Sequence, residues 1–195
     1  MDFFEAFGAS ARAPLFLVRL PNKRGDKKIP FRWMRARNAD DVRRFIESYD
    51  SPGASLYFTV CDVRDGASTR SAETVIFARC VWGEIDFKHH PNLTAEEIDS
   101  RLFASPIPPT VIINSGHGRH VYWFLIEGQD LTTPEGRNRV LEAARLACTH
   151  IGGDSQVIDV ARLHAPTRVP QQQGGRRKPT RRIYAKRAGT PLRPR

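Results

Sequence analysis

The chain has 195 residues, a length typical of one domain, and 40% of them are hydrophobic, which is enough for an ordinary core. Its formal net charge of +10 favours an anionic partner, nucleic acid before a membrane surface. No run approaches the roughly 20 apolar residues of a membrane span, and no cleavable signal pattern is present, so we expect no membrane partner. The three cysteines lack the spacing of a zinc knuckle, and their odd number fits a reducing cytoplasm better than a disulfide scaffold.

The first half of the chain predicts strands around one helix. Segments rich in strand formers are Leu15–Leu20, Leu56–Val63 and Thr74–Phe87. Ala39–Tyr49 predicts a helix, because Val42, Phe45 and Ile46 recur at helical spacing and acids occupy the first turn. The polar loop Asp65–Ser71 separates the two later strands.

The second half alternates helices and strands. Thr94, with Glu97 three positions later, has the pattern of a capping box and predicts a helix over Ala95–Phe103. The other predicted elements are a strand Thr110–Asn114, a tight turn Ser115–Gly118, a return strand His120–Ile126, a helix from Pro134 to about Ile151 and a short strand Val157–Leu163. This order indicates an α+β domain with an antiparallel or mixed sheet and flanking helices. We expect Trp33, Phe77 and Trp82 to lie in its core.

Two acids end the long predicted strand. Glu84 and Asp86 are alternate residues, so both carboxylates project from the same face of the strand. Two carboxylates ~4 Å apart repel by roughly 4 kcal/mol at a surface-like dielectric. A shared proton or a divalent metal would offset that cost, and oxygen ligands suit Mg²⁺ or Mn²⁺ holding substrate phosphates. The alternative is a solvated strand end, and this motif alone does not decide between the two.

A glycine-rich turn follows the next predicted strand. It is Ser115-Gly116-His117-Gly118-Arg119-His120-Val121-Tyr122-Trp123. The glycines permit a sharp turn and a close backbone approach, and such turns with a nearby Arg suit phosphate oxygens. His120 and Tyr122 share one face of the return strand, whereas Val121 and Trp123 share the other. We therefore expect His120 to contact phosphate, against the alternative of an ordinary hairpin with a surface histidine.

A third candidate is Asp159, which lies in the apolar segment Val157–Leu163, where a buried acid needs a partner. Asp154 follows two glycines and is expected to cap a turn, and it is the next candidate if Asp159 lies on the opposite side of the sheet from Glu84. The adjacent pair His89-His90 would point to opposite faces of a strand, so a solvated turn is expected there rather than a metal site.

Together, in this order, these segments resemble the archaeo-eukaryotic primase superfamily, and most closely the RepB-like primase-polymerase domains of plasmids and phages. The matching segments are Glu84-Ile85-Asp86, Ser115 to Trp123 and Asp159-Val160-Ala161-Arg162. The glycine–histidine segment is the specific one, and the acid pair alone is not. The resemblance covers roughly Leu56 to Leu163.

The resemblance implies an RRM-like catalytic sheet, nucleotidyl transfer and two metal ions, Mg²⁺ or Mn²⁺. The implied metal ligands, expected to converge, are Glu84, Asp86 and Asp159. The expected nucleotide-binding residues are Ser115, Gly116, Gly118, Arg119, His120 and Arg162. A DNA template and nucleoside triphosphates are the implied partners, with a replicative helicase domain or protein as a further candidate.

Two other functions fit the same residues. One is a non-catalytic module of this fold that binds single strands, with Tyr122 and Trp123 as stacking platforms. The other is a metal-dependent nuclease that uses the same acids. Metal titration separates the binding module from both enzymes, and nucleoside triphosphates with a template separate a polymerase from a nuclease.

The chain departs from the family pattern after Leu163. The family continues with Arg-Leu-Pro-Gly-Thr and later Asn and Lys, a pattern that residues 164–170 lack. If the codons from His164 on are translated one base later, they permit Met-Arg-Leu-Pro-Gly-Ser-Leu-Asn-Asn-Lys-Gly. We therefore expect a domain over residues 1–165, an exposed or disordered basic tail over 166–195 outside the ancestral frame, and an impaired activity. The alternative is a genuine basic tail that binds nucleic acid.

Overall fold

Most of the chain is described in a computed structural model. The described residues are 7, 14–23, 26–155 and 158–164, together with the backbone of 183–185. Within these ranges, every helix is too short or too polar to cross a membrane. Cys61, Cys80 and Cys148 are buried free thiols, as expected from their apolar surroundings.

The described elements form two antiparallel sheets and three helices. In chain order they are β1 (Leu15–Pro21), β2 (Arg32–Ala36), α1 (Ala39–Tyr49), β3 (Ala54–Thr59), β4 (Cys61–Val63), β5 (Val75–Asp86), a 3₁₀ turn (Phe87–His89), α2 (Ala95–Ala104), β6 (Val111–Asn114), β7 (Gly118–Asp130), α3 (Pro134–His150), β8 (Leu163–His164) and β9 (Ile183–Ala185). The first sheet has the order β2-β1-β3-β8, and the second has the order β4-β5-β7-β6-β9. The α+β class predicted from the sequence is confirmed.

The helices begin where their capping residues predict. The Asn38 side chain accepts a hydrogen bond from the Asp41 backbone N–H at the start of α1, and Thr94 and Glu97 form a complete capping box at α2. In α3, the Thr133 side chain accepts from the Gly136 N–H, and a proline occupies the first turn, where no intrahelical donor is lost.

Helices α2 and α3 cover one face of the second sheet. Ile85 of β5 packs there with Ile98 and Leu102 of α2, in a cluster that includes Val121 of β7. Gly83 lies on the same face, and a Cβ atom there would lie 3.1 Å from the Cys148 Sγ of α3. The helices are therefore packed directly against the strand that carries the acid pair.

The opposite face of the second sheet packs against the first sheet. The ring of Phe58 on β3 lies 6.4 Å from that of Tyr122 on β7, and 6.1 Å from that of His164 on β8. Phe7 packs edge-on against both Phe58 and Tyr122. Because side chains alternate along β5, the residues on either side of Ile85 point towards this junction between the sheets.

Three expectations about the elements were wrong. Leu56–Val63 is not one strand, because it divides after Thr59 and its two parts join different sheets. In the predicted strand over 157–163, the described residues 158–162 form no strand, β8 begins only at Leu163, and Asp159 precedes a turn. Trp33 is 39% exposed rather than buried, whereas Trp82 lies in the core.

The C-terminal segment is described only in part. The backbone of Ile183–Ala185 pairs antiparallel with β6, so three residues of the predicted tail extend the second sheet. The other residues of the predicted tail, and with them the expectation that it is exposed or disordered, lie outside the described residues.

Candidate active site

The end of β5 places two carboxylates beside the junction between the sheets. Glu84 pairs with His120 in the β5–β7 ladder, and Asp86 pairs with Gly118. Both carboxylates are partly exposed, whereas Ile85 between them is buried under the helices. The strand alternation predicted from the sequence therefore places both acids on the sheet face that carries His120.

Glu84 lies between an arginine and a histidine. The Arg162 Nη2 atom donates to Glu84 Oε2 at 3.0 Å, and His120 Nε2 lies 3.8 Å from Glu84 Oε1. The His120 ring and the Arg162 guanidinium lower the pKa of Glu84, and burial only partly opposes them. Glu84 is therefore ionised at neutral pH.

Asp86 is also held in its ionised form. The Lys88 ammonium lies 2.8 Å from Asp86 Oδ2, and the Lys88 backbone N–H donates to Oδ1 at 3.0 Å. Both contacts with Lys88 lower the pKa of Asp86, the side-chain contact more than the backbone one. The two carboxylates of the motif thus have separate positive partners and do not share a proton.

His120 stands beside this pair with a free hydrogen-bonding atom. The residue is 6% exposed, and its Nδ1 atom has no hydrogen-bond partner among the described residues. Val121 and Trp123 pack on the helix-covered face of the same strand, as predicted from the alternation. A buried polar atom without a partner is costly, which is the property expected of a ligand-binding group.

His164 completes a row of aromatic side chains behind His120, and the sequence did not identify it. Its ring lies 4.6 Å from the His120 ring, and its Nδ1 atom is hydrogen-bonded to the Tyr122 hydroxyl. Burial lowers the pKa of His164 well below its ordinary value, and the nearby cationic groups act in the same direction. A single histidine next to a leucine has no pattern in sequence, so only the pairing of β8 with β3 reveals this contact.

The glycine-rich turn is closed by its own hydrogen bonds. The Ser115 N–H donates to the Gly118 carbonyl at 3.2 Å, and the Gly116 N–H donates to Asn114 Oδ1 at 2.9 Å. Gly116 has a φ of 95°, a conformation that favours glycine. A Cβ atom on Gly118 would lie 1.9 Å from the Ile85 carbonyl oxygen, so this glycine permits β7 to approach the acid strand.

Two sequence-based assignments in the same segment need correction. Arg119 points to the helix side, where Asp99 of α2 accepts from its Nε at 2.6 Å and from its Nη2 at 2.9 Å. The structure therefore does not bring Arg119 to the face that carries His120. Tyr122 is fully buried, so it offers no surface for base stacking, and Trp123 donates its Nε1–H to the Ile107 carbonyl.

Asp159 lies in an exposed position at the start of the turn that presents Arg162. Its Oδ1 atom accepts from the Ala161 N–H at 3.0 Å, and its carbonyl accepts from the Arg162 N–H at 3.0 Å. Arg70 donates to the Ala161 carbonyl and so fixes the same turn. Asp154 lies closer to the acid strand, because its N–H donates to the Glu84 carbonyl at 3.2 Å.

The donor atoms at the end of β5 are of the chemical type that binds hard divalent cations. Glu84 and Asp86 supply carboxylate oxygens from one face, which is the ligand type that Mg²⁺ and Mn²⁺ prefer. In the part of the chain that the structure describes, no three His, Cys, Asp or Glu side chains form a metal-binding group, so Asp159 is not grouped with the pair. Two carboxylates with substrate phosphates and water are nevertheless a common way to bind Mg²⁺ in proteins.

The described residues thus form two antiparallel sheets, with an acid pair and a histidine on neighbouring strands at their junction. No protein-family model and no curated protein matches the chain. The likeness is therefore one of fold, and it rests on solved structures.

The first such structure is the AEP domain of the primase-polymerase of cyanophage S-2L. It has a TM-score of 0.62 at 15% identity, and the match covers 93% of this chain and 85% of that one. The primase RepB′ has a TM-score of 0.54 at 11% identity, with 84% of this chain and 46% of that one covered. The catalytic domain of RepB′ in complex with initiator DNA has a TM-score of 0.51 at 13% identity, over 84% of this chain and 75% of that one.

Proposed function

We propose that the chain is a metal-dependent nucleotidyltransferase of the primase-polymerase type, acting on a DNA template in plasmid or phage replication. The observation that carries the proposal is the arrangement of Glu84 and Asp86 on one face of β5, directly opposite His120, whose Nδ1 atom has no hydrogen-bond partner among the described residues. The primase-type fold, shared with enzymes of this class, supports it.

Glu84 and Asp86 are the proposed ligands of Mg²⁺ or Mn²⁺. When bound, the metal would neutralise the charge of a triphosphate and lower the pKa of an attacking hydroxyl. Both side chains are already ionised, so no proton has to leave before a cation binds. We assign Asp159 as a further candidate ligand, since its turn adjoins Arg162, which contacts Glu84.

The cationic residues are the proposed contacts of the triphosphate. Arg162 now neutralises Glu84, and it can turn to phosphate oxygens when a metal takes its place on that carboxylate. The His120 Nδ1 atom is a further group on this side, and we assign the Ser115 hydroxyl of the adjoining turn as another donor. Gly116 and Gly118 shape the turn. Arg119 is not part of this proposal, because Asp99 binds its guanidinium.

The reaction is in-line phosphoryl transfer. The 3′-hydroxyl oxygen of the growing strand bonds to the α-phosphorus, the bond from that phosphorus to the pyrophosphate oxygen breaks, and the hydroxyl proton leaves to solvent. The protein contributes positioning and charge compensation rather than covalent chemistry. The proposed partners are a DNA template and nucleoside triphosphates, with a replicative helicase domain or protein as a further one. The RepB′ domain that shares this fold was solved with initiator DNA.

A non-catalytic single-strand-binding module is the second candidate. It is favoured by the lack of a third acid beside Glu84 and Asp86 in the described residues, and by the ion pairs that each of the two already makes. The burial of Tyr122 removes one of the stacking platforms first expected for such a module.

One assay separates the candidates. The purified chain is incubated with an end-labelled primer–template and Mn²⁺, with and without nucleoside triphosphates, and the strand lengths are compared with those given by Glu84→Gln. Extension that needs both metal and triphosphate, and that Glu84→Gln abolishes, supports the proposed polymerase. Shortening identifies a nuclease. A strand that is bound but unchanged in length identifies the binding module.

A further inference from the structure

A concentrated basic segment includes β2, the edge strand of the first sheet. Residues 23–37 contain seven basic residues and one acid. The ten basic residues of 168–195 account for the whole formal net charge, so the rest of the chain carries as many acids as bases. The positive charge of residues 23–37 is therefore a local concentration, as expected of a surface that faces an anion.

Four basic side chains of this segment are available to a partner. Lys27, Lys28, Arg32 and Arg37 are exposed, and none of them pairs with a carboxylate within the described residues. Asp26, the one acid, accepts from the Lys28 backbone N–H and not from its ammonium. A phosphate backbone is the complementary charge.

Two exposed aromatic rings are interleaved with these cations. Phe31 is 44% exposed and Trp33 is 39% exposed. Alternate residues of an extended segment share a face, so the two side chains follow each other ~6.6 Å apart along the edge of the first sheet. We name the set of Phe31, Arg32, Trp33 and Arg37 the β2 patch.

Trp33 is held as a flat platform. Its ring is stacked on the buried Phe16, with centroids 5.4 Å apart and planes 12° from parallel. The Arg35 guanidinium lies 5.5 Å from the same Phe16 ring and donates to the Val63 carbonyl at 2.8 Å. Because the ring is packed against its neighbours before anything binds, a base stacking on it orders little additional side chain.

We propose that the β2 patch is a binding surface for single-stranded nucleic acid, with bases stacked on Trp33 and Phe31. Phosphates are held by Arg37, which shares the face of the two rings, and by Arg32, which projects from the opposite face of this edge strand. Aromatic platforms beside a basic track are the means by which proteins bind single strands without reading their sequence. An amphipathic membrane-binding helix would instead present a continuous apolar face, whereas this patch has two rings on a strand.

The position of the patch relates it to the proposed active site. β2 and β8 are the two ends of the first sheet and lie three strand spacings apart, ~14 Å, a length spanned by roughly four stacked nucleotides. β8 carries His164, which packs on His120. One template strand can therefore reach from the acid pair to the patch, and in this respect the inference rests on the proposed function.

Fluorescence anisotropy of a labelled oligothymidylate tests the patch. We expect Trp33→Ala to weaken binding by about tenfold, since base–aromatic stacking has that order of effect, and Trp33→Phe to keep the affinity within about twofold. Arg32→Ala should reduce the slope of log affinity against log salt by about one. The matched control is Ile126→Ala, which removes a fully exposed apolar side chain of β7 and should change nothing.

Equal affinities of Trp33→Ala and Ile126→Ala would overturn the inference. Binding of the wild-type chain to phosphatidylserine vesicles but not to the oligonucleotide would also overturn it, in favour of a membrane partner. If Trp33→Ala loses its cooperative thermal transition, Phe31→Ala and Arg32→Ala decide the matter, because both side chains are exposed. The anisotropy assay measures binding and does not depend on catalysis. Its result therefore stands even if the chain shows no nucleotidyltransferase activity.

Discussion

At the residue scale, the candidate site combines two ion-paired carboxylates, Glu84 and Asp86, with a histidine that the fold leaves incompletely paired. The Nδ1 atom of His120 has no partner among the described residues, and its Nε2 atom lies 3.8 Å from Glu84, beyond hydrogen-bond distance. Sequence patterns located Glu84, Asp86 and His120, because strand alternation alone fixes the face on which they lie. The same patterns failed for Arg119, whose position next to His120 gave no indication that Asp99 of α2 binds it.

Replacing His120 with alanine should weaken nucleoside triphosphate binding and preserve the fold. The substitution removes a ring whose Nε2 atom lies 3.8 Å from Glu84 and whose Nδ1 atom has no partner among the described residues. A charge-assisted contact to phosphate is worth about 1.5–3 kcal/mol, or roughly tenfold to hundredfold in affinity. Equilibrium dialysis with labelled triphosphate measures the affinity, and His117→Ala, in the exposed turn, is the control. A variant that unfolds several degrees lower yet binds triphosphate normally would identify His120 as a structural residue only.

The buried His164 should make the free energy of unfolding depend on pH. Its pKa in the folded chain lies well below the ordinary 6.5, so between the two values the unfolded state binds a proton that the folded state does not. Stability should therefore fall as pH is lowered through about 6.5, by up to about 1.4 kcal/mol per pH unit.

Urea unfolding between pH 7.5 and 5, with pH values chosen at about half-unit steps around the ordinary histidine pKa, checks this dependence. His164→Asn, whose side-chain oxygen can accept from Tyr122, should flatten the decline, whereas His117→Asn should not. The same decline in His164→Asn and in the wild-type chain would show that other groups cause it.

At the scale of elements, the sequence predicted local structure better than the grouping of strands. Ala39–Tyr49 was predicted to its exact limits, because spacing and acids in the first turn mark both the face and the start of the helix. The division of Leu56–Val63 between two sheets leaves no mark in a continuous run of strand formers, since only tertiary pairing decides it. Asp159 was predicted to lie in a strand because a short apolar run is compatible both with a strand and with a turn whose apolar residues are buried.

The close approach of β5 and β7 gives a test at this scale. Gly118→Ala should destabilise the chain by about 3 kcal/mol, because the added methyl group meets the Ile85 carbonyl and neither strand can move without losing ladder hydrogen bonds. Gly66→Ala is the control: it has a φ of 81° but open space, so backbone strain alone should cost about 1 kcal/mol. Urea unfolding measures both, and equal losses would contradict the steric account.

At the scale of the whole molecule, the net positive charge and the candidate site belong to different parts of the chain. The basic residues of 168–195 equal the entire formal excess of +10, while the acid pair, His120 and the β2 patch belong to a part with balanced charge. Net charge indicated nucleic acid as a partner, yet it did not indicate which surface would meet it. The surface could be identified only from the exposure of Trp33, a residue that we expected in the core.

The coding DNA tests whether the segment after Leu163 has left its ancestral frame. We expect the bases after the Leu163 codon, translated one base later, to encode Arg-Leu-Pro-Gly followed by Asn and Lys. This would explain why a chain with primase-type motifs up to Arg162 lacks the basic motif that follows in that family. Any other peptide in the shifted frame would end this hypothesis and leave a genuine basic tail.

The central claim is that Glu84 and Asp86 bind a divalent cation together with a nucleoside triphosphate. Equilibrium dialysis of labelled triphosphate against the full chain, with and without Mn²⁺, measures this most directly. We predict that Mn²⁺ raises triphosphate retention by about tenfold or more in the wild-type chain and has no such effect in Glu84→Gln or Asp86→Asn. Asp159→Asn in the same experiment shows whether a third carboxylate takes part. Retention that is independent of Mn²⁺, or equal in the wild-type chain and in Glu84→Gln, would contradict the account.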